Sequence, residues 1–244
     1  MQLVRTYHGV VLCALGWACW KTYLGRPETD DIRSFAMAEL GNGLTHAERH
    51  ADTLVVREAE LATLRRVGAS ERSMLAMQSN LANTYAHLGQ LEEALRLRRA
   101  VYSGSLRLYG EQHEETTIDA YNYANDLLEA NRFAEAKALL RKTMPVARRV
   151  LGEGSETTLR MRWNYASSLF AAPGAPLDDL REAVATLEDI EPIARRVLGG
   201  AHPFVVETER SLVQSRSVLR ASEASEPGDV NSTCAAVEAI ALKE

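Results

Sequence analysis

The chain has 244 residues, 46% of them apolar and 25% charged, the balance of an ordinary folded soluble protein. A net charge of −5 supplies no basic field to draw DNA or RNA, so a nucleic-acid partner is not expected. The three cysteines, Cys13, Cys19 and Cys234, are too few and too scattered for a disulfide framework. Cys13 and Cys19 lie about 240° apart around a helix and share no face for a metal. A reducing compartment, the cytoplasm, is the expectation.

Residues 1–25 carry two readings. The twelve residues from Gly9 to Trp20 hold no charge, but a membrane span needs about 20. A basic start and short apolar core suit a targeting segment, although Trp20-Lys21-Thr22-Tyr23 makes a poor cleavage site. Against this, Thr22-Tyr23-Leu24-Gly25 resembles Arg107-Leu108-Tyr109-Gly110, the end of a repeat. Residues 3–24 then read as the second helix of a partial repeat.

A repeat governs the rest of the chain. Asn80-Leu81-Ala82-Asn83 recurs 42 residues on as Asn122-Tyr123-Ala124-Asn125, and after another 42 as Asn164-Tyr165-Ala166-Ser167. Gly68, Gly110 and Gly152 keep the same period, which marks a stacked array of supersecondary units. Residues 26–68 form a degenerate copy, with Leu40 in the place of Ala82 and Gly43 in that of Tyr85. Gly41-Asn42-Gly43 is expected to weaken its first helix, because glycine costs about 1 kcal/mol against alanine there. A stronger helix is predicted over 47–66.

Residues 70–152 hold two clean repeats, each a pair of antiparallel helices. Leu81, Ala82, Tyr85 and Leu88 form the stripe of one helix; Leu91, Ala94, Leu95, Leu97 and Val101 form that of the next. Residues 153–199 make a longer copy, its extra residues falling in the turn Ala171-Ala172-Pro173-Gly174-Ala175-Pro176. Pro145 and Pro192 predict a bend in the long second helices. A last helix is predicted over 202–219, a polar linker over 222–232 and a short helix over 233–242. The predicted organisation is a partial helix or targeting segment at 1–25, an array at 26–220, and a linker with a short helix at 221–244.

The unit Asn-Leu-Ala-x-x-Tyr-x-x-x-Gly-x-Leu-x-Glu-Ala at Asn80–Ala94 resembles the tetratricopeptide repeat. Its 42-residue period and the loop Tyr109-Gly110-Glu111-Gln112-His113 are similar to the kinesin light chain type. The resemblance implies an all-α, right-handed superhelical solenoid of antiparallel helix pairs, whose first helices line a concave groove for peptide segments of partner proteins. Residues 1–30 show no sustained heptads for the family's coiled coil, so a motor-binding role is not expected. Its acidic-peptide ligands need several groove cations, and few candidates are present.

The groove-facing places implied are Asn80, Asn83, Asn122, Asn125 and Asn164, with Ser167 completing the set. An asparagine amide both donates and accepts, so it can pair with peptide backbone of any sequence. The alternative is that each bonds a neighbouring helix. One turn earlier, Tyr121 and Trp163 are candidate apolar anchors and Arg160 a candidate carboxylate clamp. His113 and His202 are expected to cap helices, and three of the four arginine doublets, those that close second helices, to complement helix dipoles. No phosphate loop, nucleophile elbow or zinc signature is present, so no catalytic residue, metal or cofactor is expected. The leading expectation is an adaptor for a protein or peptide. A membrane-anchored or exported protein directed by residues 9–20, or a self-assembling solenoid, stands beside it.

Overall fold

The computed structural model describes residues 2–225. The short helix expected over 233–242 lies outside them, as does most of the linker. Among the described residues all regular structure is α-helical. The ten helices are α1 (Gln2–Tyr23), α2 (Asp31–His46), α3 (His50–Arg66), α4 (Glu71–His87), α5 (Leu91–Tyr109), α6 (Glu114–Glu129), α7 (Phe133–Val150), α8 (Glu156–Phe170), α9 (Leu177–Leu198) and α10 (Pro203–Ser225). They fall into two compact units, one ending at Thr158 and one starting at Leu159. Helix α10 runs to Ser225, so residues 221–225 continue the helix where a linker is expected from the sequence.

The first unit is built by pairing consecutive helices. First helices of each repeat are α2, α4 and α6; second helices are α3, α5 and α7. Helix starts are set by side chains that accept otherwise orphaned N–H groups. Asp30 accepts from Ile32, Ser70 from Ser73, and His113 Nδ1 from Glu115 at 3.1 Å. In the second unit His202 Nδ1 accepts from the Phe204 N–H in the same way. Both loop histidines are therefore helix caps, as their position after the loop glycine predicts. Gly110, Gly152 and Gly199 take φ of 84°, 88° and 86°, a region that penalises other residues, and so end the helices before each loop.

The core follows the apolar stripes. Leu61 of α3 packs with Met77, Leu81 and Ala82 of α4 and Leu97 of α5, flanked by Leu54, Leu64 and Tyr85. Fully burying one such leucine contributes about 1.5–3 kcal/mol. Helices α7 and α9 remain continuous through Pro145 and Pro192. The corresponding place in α5 is Ser103; beside it stands Gly104, where an added Cβ would lie 2.5 Å from a Leu75 methyl.

Gly9, Gly16, Gly41 and Gly43 are contacts rather than weak points. A Cβ on Gly9 would run into the His46 carbonyl oxygen, and one on Gly43 would meet that of Leu12 at 2.5 Å. Helices α1 and α2 thus touch backbone to backbone, and the segment Gly9–Trp20 is laid against α2. Gly41 makes room for the Arg57 guanidinium. Helix α2 accordingly continues unbroken through Gly41-Asn42-Gly43. No helix of the described residues is long and apolar enough to cross a membrane.

The register of the degenerate repeat also shifts. Arg57 donates to Asn42 as Arg98 donates to Asn83, each pair 15 residues apart. Asn42 therefore stands where Asn83 stands, and Leu40 matches Leu81 rather than Ala82, both leucines being buried. The one-residue difference arises because the α2–α3 pair repeats at 41 rather than 42 residues over this stretch.

Candidate functional site: a cleft between α4 and α6

Helices α4 and α6 are first helices of adjacent repeats, and the surface between them is hollow. A cavity of about 280 Å³ is lined by Arg72, Ala76, Asn80, Ile118, Asp119 and Asn122, among others. A second, of about 180 Å³, is lined by Asn83, His87, Tyr121, Asn122 and Asn125 over a floor of Arg98 and Asp126. Asn122 borders both, so the two form one cleft. The three-residue spacing of the asparagines puts them on one face of each helix.

The floor is ionic and buried. Arg98 of α5 donates through Nε to Asp126 Oδ2 at 2.8 Å, through Nη1 to Ser79 Oγ at 2.8 Å, and through Nη2 to Asn83. Burial pushes the Asp126 carboxyl above its ordinary range, against the pull of the Arg98 charge and hydrogen bond. Asp119 is likewise pushed up by burial, opposed by the hydrogen bond from Ser105 Oγ at 2.6 Å.

The asparagines divide by what claims them. Asn83 is held by Arg98, and Asn125 Nδ2 donates to Glu129 at 2.9 Å. Among the described residues, the side-chain amides of Asn80 and Asn122 have no hydrogen-bond partner, and both face the cleft. Tyr121 lines the smaller cavity.

The remaining candidates belong to the second unit, between α8 and α10. Arg160 places its guanidinium 5.0 Å from the Phe204 ring centroid. Trp163 Nε1 donates to Ser211 Oγ at 3.1 Å. Asn164 is only 2% exposed, and its Nδ2 finds no partner among the described residues; the same is true of Ser167 Oγ. So the structure brings Asn80, Asn83, Asn122, Asn125 and Tyr121 to one cleft and encloses the equivalent residues of α8 elsewhere.

Sequence reasoning did not single out Arg98, Asp126, Ser79, Asp119 or Asn42. Arg98 carried a signal: it stands between Leu97 and Val101 on an otherwise apolar stripe, where an unpaired charge is not tolerated. Its doublet partner Arg99 is exposed and Arg98 is buried, so the pair is not a simple dipole complement. Among the described residues no three His, Cys, Asp or Glu side chains are grouped to hold a metal.

Residues 73–149, which contain the whole cleft apart from Arg72, match the tetratricopeptide repeat family. That stretch carries tetratricopeptide repeats. Such repeats are generally protein–protein interaction modules, on a fold that typically serves as a non-enzymatic scaffold. No curated protein matches the chain. Among solved structures it is similar to the nearly identical TPR-like repeats of a candidate kinesin light chain from Podosopora anserina. The TM-score is 0.66 at 20% identity, over 87% of this chain and 97% of that one. It is also similar to BtubC (BKLC) from P. vanneervenii, with TM-score 0.59 at 12% identity over 89% and 93% of the two chains. These likenesses establish a shared all-helical repeat fold, a TPR-like solenoid; no coiled coil is present among the described residues.

Proposed function

We propose that this protein is a cytoplasmic adaptor whose α4–α6 cleft binds an extended segment of a partner protein. The observation that carries the reading is the pair of unclaimed amides, Asn80 and Asn122, in one cleft. Each can donate to a backbone carbonyl and accept from a backbone N–H of an extended peptide. Arg98 holds the neighbouring Asn83 in place, so the cleft wall is preorganised, which lowers the ordering cost of binding.

The lining also sets the kind of segment. Glu115, Asp119 and Glu129 face it against Arg72, while Arg98 and Asp126 neutralise each other. An acidic peptide would meet like charge, so the ligand is a segment with basic or neutral polar side chains. This departs from the acidic-peptide ligands that the kinesin light chain resemblance implies. The cytoplasmic location rests on the scattered cysteines, two of which, Cys13 and Cys19, are free thiols.

Fluorescence anisotropy against basic and acidic peptide libraries tests the reading. The double variant Asn80→Ala with Asn122→Ala should lose roughly tenfold in affinity for the selected peptide, since each lost bond contributes about 1 kcal/mol. Its melting temperature should hold. Asn83→Ala should instead lower melting, because it strips a partner from buried Arg98. Undiminished affinity in the double variant, or selection of acidic peptides, overturns the proposal.

A further inference from the structure

Taking the α4–α6 cleft as a peptide site, as proposed above, we infer that its larger cavity receives one lysine or arginine side chain of the bound segment, with the cation on the Asp119 carboxylate. The repeat pattern sets Asp119 apart. The positions 42 residues before and after it are Met77 and Met161, both buried. The neighbouring copies thus place a core methionine where α6 places a carboxylate. Ser105, whose hydroxyl bonds that carboxylate, has buried Ala147 as its own counterpart one repeat on. Carboxylate and hydroxyl depart from the apolar pattern together.

That departure leaves a charge uncompensated. Among the described residues Asp119 forms no ion pair. Arg98, whose charge acts on it, is engaged by Asp126, Ser79 and Asn83. Ser105 Oγ donates to Asp119 Oδ2 at 2.6 Å, and Oδ1 accepts from no described residue. Burial consequently holds the carboxyl above its ordinary range, against the Ser105 bond and the Arg98 charge. Aspartates removed from water ordinarily carry a partner, and a perturbed carboxylate in a cleft is a place for a ligand. Ser105 is itself buried, so the carboxylate is fixed before the ligand arrives.

The cavity suits a long side chain with a charged end. Its volume of about 280 Å³ has room for the stem of lysine or arginine, and Leu75, Ala76 and Ile118 give that stem apolar surface. Asn80 and Asn122 line the same cavity and are free to hold the segment's backbone. The other charges on the lining, Arg72 of α4 and Glu115 of α6, are exposed, where solvent weakens a charge pair. Asp119 is half-buried, where one pair counts for more. A neutral side chain would leave Asp119 unpaired and an acidic one would meet like charge, so the carboxylate selects as well as binds.

A hexapeptide array tests this with the full chain. Each position in turn is fixed as lysine, arginine, norleucine or glutamate while the others are randomised, and the captured peptides are titrated by fluorescence anisotropy. Wild type should show one position where lysine or arginine outbinds norleucine about tenfold or more, the effect of one close charge pair. Asp119→Asn, which still accepts from Ser105, should bring that ratio close to one. Ser105→Ala with Asp119→Met, the residues of the following repeat, is the second variant and should do the same. Asn80→Ala with Asn122→Ala should weaken lysine and norleucine peptides alike and leave their ratio intact. Captured peptides with no basic preference at any position, or a preference that survives Asp119→Asn, overturn the subsite; if those peptides still need Asn80 and Asn122, the peptide-binding reading stands without it. An array that captures no peptide overturns both.

Discussion

The first unit joins its repeats in two chemically different ways. At the junction of α3 with α4 the contact is apolar: Leu54, Leu61 and Leu64 meet Met77 and Leu81, and a polar bond crosses at the edge, from Tyr85 Oη to Glu58 at 2.9 Å. At the junction of α5 with α6 buried polar groups also cross, Arg98 to Asp126 and Ser105 to Asp119. Arg57, the counterpart of Arg98, stays within its own repeat, bonding Asn42 and Glu60. A greasy junction tolerates small slips, whereas a buried ion pair with fixed hydrogen bonds accepts one geometry. The cleft lies over the second kind. The position of Asn122 relative to Asn80 is therefore held by an ionic floor.

The largest effect should come from breaking that floor. Arg98→Met leaves the Asp126 carboxyl buried without its cation and should cost about 3–5 kcal/mol, read by urea unfolding. Peptide binding should fall with it, because Asn83 loses its anchor. A loss below about 1 kcal/mol would show that the polar junction is no more fixed than the apolar one.

A smaller effect of opposite sign is expected at Asp119. Burial, the main cause, raises its folded-state pKa, with Glu115 adding to the shift and Ser105 and Arg98 opposing it. A carboxyl raised on folding contributes stability that is fully present below its unfolded pKa, about 3.9, and lost as pH rises through the folded value. Asp119→Asn removes that loss and can still accept from Ser105. The variant should melt above wild type at neutral pH, the gap closing as the solution is acidified below the ordinary aspartate range. A gap independent of pH would assign the effect to packing.

The smallest effect belongs to the apolar junction. Tyr85→Phe deletes the bond to Glu58, on a half-exposed ring, and should cost about 0.5 kcal/mol or less. A loss as large as that of Arg98→Met would erase the contrast between the junctions.

Much of the fold was readable in the chain, and the reason is local. A stripe of apolar residues, a loop glycine that must take positive φ, and a capping residue recur at a fixed period, and each acts within a few residues of itself. The asparagine spacing was equally readable, and it led to the cleft. What the spacing does not carry is which amides are free. Asn80, Asn83, Asn122 and Asn164 look alike in sequence. Asn83 is claimed by an arginine 15 residues away, and Asn164 is enclosed in the second unit.

The sequence by itself thus determined the helix pairs, their order, the caps and the candidate face, because those depend on propensity and periodicity along one segment. Only the tertiary structure decided the rest. Gly41 and Gly43 became close contacts instead of helix breaks because Arg57 and α1 lie against them. Arg98 became the floor of a cleft because Ser79, Asn83 and Asp126, from helices on either side, converge on one guanidinium. Such convergence is a property of packed neighbours, and no period along the chain encodes it.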